Sequence, residues 1–129
     1  MPFSANLDVD GEVSRVLECS YAFDRDTDQF GKPSSEPRGG KVTVTIETTG
    51  TTMYSTWMMS PKLRKSGKIT FEDPTEDADL KVVEFEDAYM ISYEEMFGSK
   101  GENGMVETFT ISAKKLSIGD GVHENDWYK

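Results

Sequence analysis

The side chains able to do chemistry are few in this sequence, and their spacing scatters them. The lone histidine, His123, stands six residues before Lys129. A nucleophile–base triad needs an imidazole held between two partners, and a zinc site needs several converging ligands. With no second histidine in the chain, His123 reads as a solvated residue beyond the last predicted strand. The single cysteine, Cys19, alternates with apolar neighbours, which points it inward as a buried, unreactive thiol. Asp24, Asp26 and Asp28 imitate the start of a calcium loop, but the sixth and twelfth positions hold Gln29 and Ser35 where an EF-hand requires Gly and Glu. That run reads as a solvated, turn-forming acidic stretch. The pairs Glu84 with Glu86 and Glu94 with Glu95 fall on strand faces that look outward, where carboxylates serve solubility and edge protection better than acid–base work. Gly39-Gly40 and Gly101 with Gly104 are turn glycines, without the strand–loop–helix setting that cradles a phosphate. No catalytic residue, cofactor site or metal site is expected, and the chain does not read as an enzyme.

Charge is more informative. The chain carries 24 acidic and 14 basic residues, a formal net charge of −10. Such a surface repels a free polyanion, so nucleic-acid binding is not expected. Against that background Lys62, Arg64, Lys65 and Lys68 stand within seven residues of one another. A cluster of this kind is commonly a solvated loop. Its functional reading is a basic patch on one end of an acidic body, suited to head-to-tail association with a copy of itself.

The elements that must position these residues are mostly strands. A length of 129 residues suits one domain with a modest core. Leu, Ile, Val and Phe make up only about 20% of the chain, close to the limit below which chains stay disordered, while fourteen aromatics pull toward folding. The chain therefore folds with little apolar surface to spare, and partners would bury more. One cysteine excludes an internal disulfide and suits a reducing compartment. The opening residues have no basic, apolar run of signal-peptide type, and no stretch approaches the roughly 20 apolar residues of a membrane helix. Synthesis and retention in the cytosol follow, unless a dedicated machine exports the chain without a cleaved signal.

Period two dominates. Phe3, Ala5, Leu7 and Val9 alternate with polar residues as a half-buried strand, and Asp10-Gly11 forms a two-residue hairpin turn. The return strand places Val13, Leu17, Cys19, Tyr21 and Phe23 inward, interrupted by Arg15, with Glu12, Ser14, Glu18, Ser20 and Asp24 on the other face. Residues 25–40 lose all periodicity, and Pro33 and Pro37 stiffen the segment. A long irregular loop of this kind suits an arm that docks on something. Strand pattern resumes with Val42, Val44 and Ile46 inward. Tyr54, Trp57 and Met58 then fall at helical spacing, with Thr51 or Thr52 to cap and Pro61 to terminate, which predicts one short helix over about 51–60. Further strands are expected at Lys68–Glu72, with Ile69 and Phe71 inward, and around Leu80–Tyr93, with Val83, Phe85, Tyr89, Ile91 and Tyr93 on one face. A last one is expected over Met105–Ile118, where the inward parity flips at Lys114-Lys115 and demands a bulge or bend. The expected fold is mainly β over 1–129: a small antiparallel β-barrel with one short α-helix packed alongside and a long extended loop.

Several stretches together resemble a known family. Tyr21-Ala-Phe-Asp24, the loop Thr27-Asp-Gln-Phe-Gly-Lys-Pro-Ser-Ser-Glu-Pro-Arg-Gly-Gly40 and the helix bearing Trp57 resemble the Hcp-type tube protein of type VI secretion systems, in the Bacteroidetes version often called TssD. The opening Phe3-Ser-Ala-Asn-Leu-Asp-Val-Asp-Gly11 stretch, Phe85-Glu-Asp-Ala-Tyr89 and Thr108-Phe-Thr-Ile-Ser-Ala113 extend the resemblance over essentially the whole chain. The loop is its most specific part. The resemblance implies a barrel with a helix alongside, six copies forming a ring, and rings stacking into a tube. It implies a contractile sheath that propels the tube, a spike at its tip and effectors in its lumen. The chain would be cytoplasmic before firing and then secreted without a cleaved signal peptide, with no cofactor, no nucleic acid and no membrane insertion. By analogy the long loop crosses the ring-to-ring contact, which makes Phe30, Gly31, Lys32, Pro33, Ser34, Ser35 and Arg38 assembly residues. Lys62, Arg64 and Lys65 join them on the charge argument.

Two other readings share the architecture. One is a monomeric small-ligand-binding β-barrel with an apolar interior pocket, which ought to carry more large inward residues. The other is a phage-type tail-tube subunit. Mass in solution separates the ring formers from the monomeric barrel.

Overall fold

A computed structural model describes residues 3–73, 75, 78–99 and 104–125, with the side chains of 78 and 79 left aside. Its elements in chain order are β1 (Ser4–Val9), β2 (Glu12–Tyr21), β3 (Lys41–Glu47), α1 (Met53–Met59), β4 (Lys65–Asp73), β5 (Ala78–Phe97), β6 (Met105–Ser112), β7 (Lys115–Ile118) and β8 (Gly121–Glu124). All pairings among the named strands are antiparallel. Strands β4-β1-β2-β3-β6-β5 close on themselves through the β4–β5 pairing, giving a six-stranded barrel, and β7 with β8 extends the sheet beyond it. Closure pairs edges that an open sheet leaves free.

The Asp10-Gly11 turn has φ of 53° and 83°, the left-handed pair that a two-residue hairpin matching the strand twist demands. Ala5, Leu7 and Val9 of β1, Val42, Val44 and Ile46 of β3, and Phe109 and Ile111 of β6 are buried, as their alternation predicts. Opposite them, Thr43 pairs with Thr110 and Thr45 with Thr108 through hydroxyl contacts of 2.9 Å, a cross-strand match that helps fix register. Phe3 is not inward: it precedes the first paired residue of β1 and is 65% exposed.

In β2 the inward face changes sides. Ser14 and Val16 are buried and Val13 is exposed, whereas Cys19 and Tyr21 pack against the core farther on. The cause is a register shift between Val16 and Glu18. One extra residue there reverses the parity, so a face read back from Cys19 and Tyr21 lands wrongly on Val13. The 20-residue β5 does the same at Asp87, whose φ of 52° is left-handed. Val83 and Phe85 are buried before it, and Ala88 and Met90 after it. Tyr89 is only half-buried and Ile91 is exposed, against the single-face pattern. A second shift between Met90 and Ser92 brings Tyr93 back against the core. The break at Ala113-Lys114 separates β6 from β7, with Ala113 buried on one parity and Leu116 on the other.

Helix α1 buries Tyr54 and Trp57, and the Tyr54 ring stacks on Phe109 at 4.9 Å. The Trp57 indole N–H donates to the Leu63 carbonyl at 3.2 Å, tying the helix to the chain that leaves it. Thr51, rather than the N-cap residue Thr52, supplies the hydroxyl, accepting from the Met53 N–H at 3.2 Å. Ser60, forced toward extended geometry by Pro61, ends the helix with ψ of 113°. No helix among the described residues is long and apolar enough to cross a membrane.

Candidate assembly site

The segment between β2 and β3 is an ordered arm. Its two limbs run antiparallel, bridged at Asp24–Arg38 and at Thr27–Pro33. The Asp24 and Arg38 backbones exchange hydrogen bonds of 2.9 and 2.7 Å, and Ser34 donates to the Asp26 carbonyl at 2.7 Å. The acidic run that imitates a calcium loop is engaged in building this arm. The Arg38 guanidinium reaches Asp24 at 3.1 Å and both oxygens of Asp26 at 3.0 and 2.6 Å, the two-pronged geometry to which a planar guanidinium is suited. Hydrogen bonding and charge from Arg38 hold the Asp26 carboxyl below its ordinary range. Asp28 accepts from the Phe30 and Lys32 N–H groups at 2.9 and 3.0 Å, closing the tip as an Asx turn does. The Ser35 hydroxyl accepts from the Asp26 N–H at 2.8 Å.

The arm presents its tip residues outward. Phe30 is 80% exposed, and Gly31, Lys32, Pro33 and Ser34 beside it are exposed as well. Its base is fixed to the barrel: Ala113 N–H donates to the Gly40 carbonyl at 2.7 Å, and the Asn125 amide reaches the carbonyls of Gly39 and Ala113. Gly40 has φ of 94°, and a Cβ there would lie 2.5 Å from the Asn125 amide nitrogen, so glycine is required on both counts.

The basic cluster is spread over different environments. Lys62 is exposed in the turn after α1. Arg64 lies 5.8 Å from the centre of the Tyr89 ring, within cation–π range. Lys65 is mostly enclosed and ion-paired with Asp10, while Lys68 on β4 stands in register between Asp8 and Glu84. Thus Lys62 and Arg64 face outward, and Lys65 helps fix the first hairpin to β4.

Two polar residues have roles that their place in the sequence conceals. His123 lies in β8, half-buried, with its ring edge-on to Phe23 at 5.3 Å and Nε2 3.1 Å from the Asn125 side-chain oxygen. It is part of the hairpin beside the arm and not a solvated tail residue. Two short polar turns hid this strand, which is only four residues long. Glu107 is buried at 1% exposure on the inward parity of β6. Burial raises its pKa, as does the charge of Glu95, against the opposing hydrogen bond from Tyr93. Its shared parity with the inward Phe109 and Ile111 was the only available signal. Cys19 packs against the core, and burial pushes its thiol up to about 11, far from a reactive thiolate. Among the described residues no group of three or more His, Cys, Asp or Glu could hold a metal ion.

The class so defined is a closed antiparallel β-barrel with a projecting, pre-shaped arm. The family model described as hemolysin coregulated protein Hcp (TssD) matches residues 1–128. Hcp1 from Flavobacterium johnsoniae is 39% identical, covering 95% of this chain and 99% of that one with a TM-score of 0.88. Hcp1 from Salmonella typhimurium shares the fold at 10% identity, covering 95% and 92% with a TM-score of 0.73. A chain of an extracellular contractile injection system sheath–tube complex does so at 18% identity, covering 88% and 86% with a TM-score of 0.53. No curated protein matches the chain. The chain belongs to the Hcp (TssD) family and is a tube subunit of type VI secretion.

Proposed function

We propose that six copies close into a ring and that rings stack head-to-tail into the inner tube that a contractile sheath drives outward, with a spike at its tip and effectors in its lumen. The subunit's work is geometric, with no catalytic step. It resides in the cytoplasm before firing and leaves with the tube, without a cleaved signal peptide. A contact that closes by rotation gives the ring, and a second one along the axis gives the filament. The observation that carries this reading is the arm, held in one shape by Arg38 with its tip exposed. Phe30, Gly31, Lys32, Pro33, Ser34 and Ser35 meet the adjacent ring, while Arg38 keeps them in place. The exposed Met59 and Phe97 (79% and 71%) are apolar surface that packing between copies would cover.

Six copies at −10 each carry −60, so stacking needs opposite charges to meet. Lys62 and Arg64, with Lys65 behind them on Asp10, supply these against an acidic face of the next ring. Light-scattering mass after size exclusion, at low and moderate salt, tests the ring. A particle near six times 14.5 kDa is expected, and negative-stain images should then show rings. A monomer at every concentration would overturn the proposal that six copies close into a ring unaided.

A further inference from the structure

An apolar recess of about 240 Å³ opens between the base of the arm and the β7–β8 hairpin, lined by Phe23, Pro37, Leu116, Ile118, Val122 and His123. Val122 is 58% and Phe23 40% exposed at this recess. A cavity near 150 Å³ already accepts a benzene ring, so this one admits a phenyl side chain. Among the described residues the most exposed large apolar side chain is a phenylalanine, Phe30, at 80%. It cannot enter the recess of its own copy. The arm is pinned at Asp24–Arg38 and Thr27–Pro33, and its tip stands six residues, about 20 Å of extended chain, from its base. Only another copy can bring Phe30 there.

The charges around the two features are complementary. Lys32 stands exposed two residues after Phe30. The β8 residues of the recess lie between Asp120 and Glu124, both exposed. The nearby cation on β7, Lys115, is paired with Glu86 at 3.7 Å. We propose that the recess receives Phe30 of a second copy, with Lys32 of that copy against Asp120 and Glu124, and that this contact joins one ring to the next. The inference rests on the tube reading and adds to it the receptor for the arm. Apolar insertion supplies affinity, and the flanking charges fix orientation.

Cysteine cross-linking of the full-length protein tests it. In one copy the bridged arm carries residue 30 about 20 Å of extended chain away from its base, well beyond the roughly 7 Å between Cα atoms that a disulfide spans. Oxidised F30C/V122C protein should give a ladder on non-reducing gels that runs past six copies, while F30C or V122C alone gives none. A ladder that stops at six places the contact within the ring and overturns the ring-to-ring assignment. No ladder, or the same ladder from F30C alone, overturns the docking. Without added cysteines, Phe30→Trp should keep stacked rings and Phe30→Asp should lose them; equal stacking by both also overturns it. The wild-type mass judges the tube reading separately. Hexamers without a ladder discard the recess alone, and monomers without a ladder discard the unaided ring as well.

Discussion

The Tyr93 hydroxyl on β5 donates a 2.6 Å hydrogen bond to Oε1 of Glu107 on β6, and the rest of that carboxyl is buried beside the Thr48 hydroxyl. A carboxylate so placed is costly, because burial strips its water and the two hydroxyls offset only part of that loss. Burial raises the Glu107 pKa, so the carboxyl takes up a proton more readily in the folded state than in the unfolded chain.

The sign of the pH dependence follows. Stability from Glu107 is full below the ordinary glutamate value, roughly 4.3, and declines as pH rises toward the higher folded value. Glu107→Gln keeps an acceptor for Tyr93 and removes the charge. It should raise stability at pH 7 by on the order of 1 kcal/mol and flatten the slope of melting temperature against pH. Thermal unfolding at pH 5 and pH 8 reads both, and an unchanged slope would refute the assignment.

Arg38→Ala should loosen the arm and leave the barrel intact. Amide exchange of residues 24–38 should accelerate, with little change in the melting temperature, since the ion pairs are exposed and surface pairs contribute little to global stability. Because Arg38 lowers the Asp26 pKa, arm order is present above the ordinary aspartate value, roughly 3.9. It fades as pH falls through the lowered one. Fast exchange in the arm of the wild type at pH 7 would contradict this account.

Asp87 holds left-handed backbone, and its N–H donates to the Ser66 hydroxyl at 3.1 Å. Asp87→Val should cost about 1–2 kcal/mol, since a β-branched side chain tolerates this conformation poorly. Asp87→Gly should be close to neutral. Chemical denaturation of the two variants compares them directly, and equal losses would show that the bend is held by something other than the backbone.

The charge reversal K62E/R64E should leave the ring mass unchanged and abolish stacking at low salt. Lys65 is better left out of this pair, because Lys65→Glu would set a carboxylate against Asp10 and disturb the hairpin itself. Sedimentation of stacked rings is the readout. Normal stacking would remove the basic patch from the ring junction.

Local signals were legible wherever the chemistry of a few neighbouring residues decides the outcome. Asp10-Gly11 announces its hairpin, Pro61 ends α1, and the parity flip near Lys114 marks the join of β6 and β7. Signals failed where one inserted residue changes the face of everything beyond it. Val13 and Ile91 read as inward because the shifts near Leu17 and at Asp87 leave no mark in composition. The arm residues stand out by lost periodicity and proline content. Their antiparallel pairing depends on Arg38 returning to Asp24 and Asp26, a contact twelve to fourteen residues apart that no local pattern encodes.

The clamp of Arg38 on Asp24 and Asp26 also has a kinetic consequence. If the arm docks on a neighbour as proposed, it has already surrendered its conformational freedom during folding, so association need not wait for a loop to search for its bound form. Polymerisation then depends on collision and alignment of whole rings, and elongation can be quick without each junction being strong. On the proposed stacking, a filament of many modest contacts made this way can grow quickly, and each firing draws on newly made subunits because the spent tube leaves.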